Sequence, residues 1–118
     1  DPTRGGLAST LKEIAMMAQV GIEIDEKEIL IKEEVKGACE ILGFDPLYIA
    51  NEGKVVIFVA EEDCRKVLAS MKVRPLGRES RIIGKVVKEH PGTVLMKTLI
   101  GSTRVVEMIT GEQLPRIC

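Results

Sequence analysis

A chain of 118 residues is one ordinary domain with a single core, and its 17 Lys and Arg against 18 Asp and Glu leave a formal net charge of −1. That balance sets up no field for nucleic acid or an anionic membrane, and two Phe, one Tyr and no Trp leave few platforms for stacking bases. Apolar residues at 45% and charged residues at 30% suit a soluble globular protein, and no apolar run approaches the ~20 residues that span a bilayer.

In chain order, helical spacing comes first. Leu7, Leu11, Ile14, Ala15 and Ala18 line one face of a helix, with Gly5-Gly6 before it and Gly21 after it, where glycine accepts backbone angles that other residues resist. Ile22 and Ile24 alternate with polar neighbours as a short strand, and Asp25 caps a turn running through Lys27 to Ile29. Val35, Ala38, Cys39 and Leu42 share the face of a second helix that Gly43 closes. Asp45-Pro46 starts a short helix to Ala50, with Pro at its first position, and Asn51-Glu52-Gly53 turns the chain. The β-branched and aromatic run Val55-Val56-Ile57-Phe58-Val59 is expected to be a buried central strand. Glu61, Glu62 and Asp63 suit the positive end of a third helix with Cys64, Val67, Leu68 and Met71 inside. Segments 81–87, 93–99 and 103–108 are rich in Val, Ile and Thr and are punctuated by Pro91-Gly92 and Gly101-Ser102, which predicts an antiparallel meander. The order predicts an α+β or mixed α/β class. Residues 1–110 form the domain, and 111–118, where Gly111, Glu112, Gln113, Pro115 and Arg116 break any pattern, form a mobile tail.

The start, Asp1-Pro2-Thr3-Arg4, lacks the charged-then-apolar order of a signal peptide, and with no initiator Met the sequence is expected to be a piece of something longer. Three Cys without a CxxC pair argue against a disulfide framework or a zinc site and point to a reducing cytoplasm.

Four places can carry chemistry. Cys118, on the last residue of the tail, has a thiol free to travel, since seven or eight extended residues span on the order of 25 Å. Its reactivity depends on the thiolate, which Arg116 favours and a neighbouring carboxylate opposes; the alternative is an incidental terminal Cys. Cys39 and Cys64, on apolar helix faces, read as core residues. A Gly5-Gly6 turn opening a helix presents unpaired N–H groups to phosphate or carboxylate, with Thr3 and Arg4 adding a hydroxyl and a charge, unless it is ordinary capping. Glu52 is either a general base whose pKa burial raises or a solvated turn carboxylate. His90, the single His, precedes Pro91-Gly92 and reads as a surface turn, so neither a catalytic triad nor a metal site is supported.

Three segments together resemble one family. Asp1-Pro2-Thr3-Arg4-Gly5-Gly6-Leu7, then Asp45-Pro46-Leu47 with Asn51-Glu52-Gly53, then Leu114-Pro115-Arg116-Ile117-Cys118, are similar to the HypE family of hydrogenase maturation proteins, over the whole chain and in order. The first and last pieces are the specific ones; the middle one is shared with other members of the aminoimidazole ribonucleotide synthetase superfamily, selenophosphate synthetase among them.

The resemblance implies a superfamily C-terminal-domain fold, a mixed sheet with packed helices, and a cytoplasmic reaction. The carbamoyltransferase HypF places a carbamoyl group on Cys118, ATP-dependent dehydration converts it to thiocyanate, and the cyano group passes to iron held by the HypC–HypD complex. Thr3, Arg4, Gly5 and Gly6 then lie near nucleotide or tail, Pro115, Arg116 and Ile117 form the tail motif, and Glu52 moves a proton. Most of the ATP site, the magnesium ligands and the homodimer interface belong to an N-terminal half absent from this sequence, so the chain alone is expected to fold without hydrolysing ATP. Two other readings are a non-catalytic carrier and docking module, and another superfamily member such as a selenophosphate synthetase.

Overall fold

In the computed structural model, which describes residues 5–48 and 54–107, the first apolar stripe folds as helix α1, Gly6–Ala18. Ala8, Leu11 and Ala15 recur at three and four and are at most 2% exposed, while Leu7 and Ile14 flank them half-buried. Ala18, expected on that face, lies exposed in the last turn. Gln19, not a glycine, takes the left-handed position that ends the helix, with φ 54° and its N–H on the Ala15 carbonyl.

Strand β1, Gly21–Asp25, follows directly. As expected, Asp25 caps the next turn, accepting from the Lys27 N–H at 3.3 Å. Helix α2, Glu33–Leu42, ends on Gly43 at φ 73°. Its expected inner face is only partly so: Cys39 is buried, but Val35, Ala38 and Leu42 are exposed. A 3-10 turn spans Pro46–Tyr48, and residues 49–50 of the helix expected to reach Ala50 lie outside the described residues. Helix α3, Cys64–Lys72, is led in by a 3-10 turn at Glu61–Asp63, with Cys64, Val67, Leu68 and Met71 half-buried along one side.

The remaining strands are β2, Gly84–Val87, β3, Val94–Lys97, and β4, Thr103–Val106. The sheet order β2-β1-β3-β4 corrects the expected meander. β1 lies between β2 and β3, antiparallel to the first and parallel to the second; only β3 and β4 form the expected hairpin. The reason is a crossing that local sequence does not announce. The chain from β2 to β3 passes over the start of β1, where Gly92 N–H donates to the Val20 carbonyl at 2.9 Å and Ile22 N–H to the Thr93 carbonyl at 3.0 Å. Gly21 makes room for it, because a Cβ there would lie 2.0 Å from the Glu89 carbonyl oxygen. That close approach, not a helix end, is what requires glycine at position 21.

The central strand expected at Val55–Val59 is a second correction. Residues 54–60 carry no regular secondary structure, and Val55, Ile57, Phe58 and Val59 are 40–66% exposed; Val56 alone packs partly against the core. The two interior positions of the sheet are filled by β1 and β3, each already paired on both sides. Composition marks a segment fit for a buried strand, but the ladder it joins is decided by pairing.

The core lies between α1 and one face of the sheet. Register sets Ile22 opposite Val94 and Val94 opposite Val106, with Ile24 opposite Met96, and the period of two turns all five inward. Leu11, Met96, Val94 and Val106 are fully buried, each contributing about 1.5–3 kcal/mol of apolar transfer. Leu47 enters the same cluster and so seats the Pro46–Tyr48 turn against α1.

Candidate functional site

Of the candidate residues, Gly5 and Gly6 lie within the described structure; Thr3, Arg4, Glu52, Pro115, Arg116, Ile117 and Cys118 lie outside it. Gly5 caps α1 in the left-handed conformation, φ 65°, and Gly6 follows at φ 68°. A Cβ on Gly5 would meet the buried Ser9 hydroxyl at 2.2 Å, so only glycine fits. Among the described residues no side chain caps this helix, and its first turn carries no acid. A helix start without a side-chain cap is the kind of end that accepts an anion, through unpaired N–H groups and the positive end of the dipole.

The second motif is built by a residue that local reading treated only as a helix start. Asp45 uses both carboxylate oxygens. Oδ1 accepts from the Leu47 N–H at 3.0 Å, closing the turn, and Oδ2 accepts from Arg104 Nη2 on β4 at 2.6 Å. The hydrogen bond that Arg104 donates to Asp45 pushes the Arg104 pKa above its ordinary value, so the guanidinium stays charged. Tyr48 donates its hydroxyl hydrogen to the Glu107 carbonyl oxygen. The turn that leads toward Glu52 is thus fastened on one side to β4, which leads toward Cys118. On the other it is packed against α1, which starts at Gly5-Gly6. Arg104 and Tyr48 were not legible as site residues. Asp45 and Arg104 are 59 residues apart, and nothing in the spacing of either joins them.

Of the remaining candidates, His90 lies on the surface as read and Cys39 is buried, whereas Cys64, expected in the core, is only half-buried. His90 is exposed in its turn at φ 49°, with Nε2 3.2 Å from Glu23 Oε2, and Lys85 Nζ lies 3.9 Å from the other oxygen of that carboxylate. Cys39 is a buried free thiol and Cys64 a half-buried one. Among the described residues no group of three or more His, Cys, Asp or Glu suits a metal ion, and no helix is long and apolar enough to cross a membrane.

Comparison with known proteins places this geometry. The family model "AIR synthase related protein, C-terminal domain" matches residues 1–97. The carbamoyl dehydratase HypE of Rhodobacter capsulatus is 52% identical over all 118 residues, which correspond to 35% of its own length. A solved HypE structure in complex with ATP superposes with a TM-score of 0.91 at 42% identity, covering 100% of this chain and 36% of that one. A solved HypE–HypF complex superposes with a TM-score of 0.85 at 44% identity, covering 92% and 35%. The chain thus spans about a third of the length of the relatives it matches.

Proposed function

Because this chain belongs to the AIR synthase related C-terminal domain family and matches the C-terminal part of HypE, we propose that it is the C-terminal part of an ATP-dependent carbamoyl dehydratase of hydrogenase maturation, working on its own Cys118. The observation that carries the reading is identity of about one residue in two, over every position of the chain, to carbamoyl dehydratases. A selenophosphate synthetase-like role has no comparable support.

In this reading HypF transfers a carbamoyl group to the Cys118 sulfur, forming an S–C(=O)–NH2 thiocarbamate. The carbonyl oxygen is a poor leaving group until it is phosphorylated. Transfer of the γ-phosphoryl of ATP to that oxygen makes it one, with ADP released. One of the two N–H protons is lost as the oxygen is phosphorylated; Glu52 takes the other, and the C–O bond breaks as the C≡N bond completes. The products are S-bound thiocyanate and phosphate; overall one water is removed from the carbamoyl group. The cyano carbon then passes to iron on the HypC–HypD complex and the Cys118 thiolate leaves, with two electrons from a reductant on the acceptor side bringing the group to the cyanide level.

What the described residues contribute is binding. The uncapped start of α1, with Gly5 and Gly6 allowing close backbone approach, fits a nucleotide phosphate, and Thr3 and Arg4 precede it in sequence. Magnesium binding and the homodimer contact fall to the upstream part of the protein. Asp45, Tyr48 and Arg104 fasten the Pro46–Tyr48 turn, which precedes Glu52 in sequence. The reaction is cytoplasmic, and residues 111–118 act as the travelling arm.

The test is intact-mass spectrometry of the full-length protein with HypF, carbamoyl phosphate and ATP. Gain of one carbamoyl group on Cys118, followed by loss of one water, is expected. The 118-residue chain alone should take up the carbamoyl group but neither lose water nor release phosphate from ATP. A full-length protein that never acquires the carbamoyl group on Cys118 refutes the proposal.

A further inference from the structure

A cleft of about 170 Å³ opens between the turn after β1, helix α2 and the Pro46–Tyr48 turn. Its buried members are Cys39 and Leu47, with Ile29 and Phe44 half-buried beside them. Lys36 and Glu40, one turn apart on α2, are charged, exposed members, and among the described residues neither is in an ion pair. Two further carboxylates at the cleft are engaged already, Asp45 by Arg104 and Glu26 by the Leu99 N–H at 3.0 Å. Glu26 and Glu40 are thus the cleft carboxylates without an ion pair among the described residues, and Glu40, which accepts no hydrogen bond among them, is the more open to an incoming cation.

The path of the chain says what can reach this cleft. Asp45 lines it and holds β4 through Arg104, and the neighbouring Tyr48 holds the Glu107 carbonyl, so the polypeptide sets out toward residue 108 from the rim. Residues 108–118 extend at most about 36 Å, ample in a domain with a radius of gyration of 14.5 Å. They contain the run Arg116-Ile117-Cys118: a cation, a branched aliphatic side chain, a thiol. We propose that the cleft is a berth for this run, with Ile117 in the apolar floor, Arg116 against Glu40, and the Cys118 sulfur beside Cys39. The proposal rests on Cys118 being the carrier thiol and adds where that thiol waits between visits. Seated there, it is withdrawn from solution and from adventitious alkylation or oxidation.

The experiment is disulfide trapping in the full-length protein with diamide, which accepts the two electrons and two protons released as the S–S bond forms. A disulfide requires Cα atoms about 4.4–6.8 Å apart, so trapping reports residence in the berth. The Cys39–Cys118 disulfide, identified by peptide mass mapping without reduction, should form at least about tenfold faster than Cys64–Cys118. Ile117→Ser and Glu40→Lys should each slow it several-fold, and Arg116→Glu added to Glu40→Lys should restore it. Equal rates for the two disulfides, indifference to both substitutions, or no rescue by the charge swap would overturn the berth. Carbamoyl transfer to Cys118 is measured on the same samples: trapping without transfer counts against the thiocyanate reading alone, and transfer without trapping against the berth alone.

Discussion

Removing the Asp45 carboxylate tests which of its two bonds holds the Pro46–Tyr48 turn. Asp45→Ala deletes the acceptor of the partly buried Leu47 N–H, a capping loss of about 1 kcal/mol. It also deletes the partner of Arg104, and because those side chains are 31% and 41% exposed, solvent screening holds that pair to about 0.5 kcal/mol. The total is about 1.5 kcal/mol, of which Arg104→Ala should reproduce only the second part. Asp45→Asn keeps the amide oxygen as turn acceptor, so it should resemble Arg104→Ala. Urea unfolding of the 118-residue chain, with the double variant completing the cycle, measures all of these and a coupling of about 0.5 kcal/mol. If Asp45→Ala costs no more than Arg104→Ala, the turn acceptor is not the dominant bond and the reasoning fails. The arginine contributes no pH dependence in the working range. Its pKa is raised in the fold, so its contribution is complete below the unfolded value and is lost only as pH rises beyond the folded one. The difference between the wild-type chain and Arg104→Ala should therefore stay constant from about pH 6 to pH 9.

Gly21→Ala should destabilise the chain by more than about 2 kcal/mol, since the new Cβ would displace the Glu89 carbonyl and the crossing over β1. Gly92→Ala, in open space but at φ 80°, should cost only about 1 kcal/mol by thermal unfolding. In the full-length protein, Glu52→Gln should accept the carbamoyl group normally and then lose about 10²–10⁴-fold in dehydration rate, so that the carbamoylated form accumulates in the mass spectrum. Unchanged thiocyanate formation would remove Glu52 from the mechanism.

What the sequence determined by itself was mostly local. The apolar stripe of α1, the alternation of Ile22 and Ile24, the Asp25 cap and the Gly43 helix end are each written in a few neighbouring residues, and each appears in the structure. The family was legible too, because the Asp-Pro-Thr-Arg-Gly-Gly and Pro-Arg-Ile-Cys segments are specific strings, and the match to HypE over the whole chain bears them out. Tertiary structure decided everything that depends on which distant segments meet. It placed β1 between β2 and β3, left Val55–Val59 out of the ladder, exposed most of the face expected inside α2, and joined Asp45 to Arg104. Hydrophobic periodicity reports that a face will be covered and is silent about what covers it. Strand pairing and a carboxylate shared between two elements are settled only when the whole chain competes for the same positions.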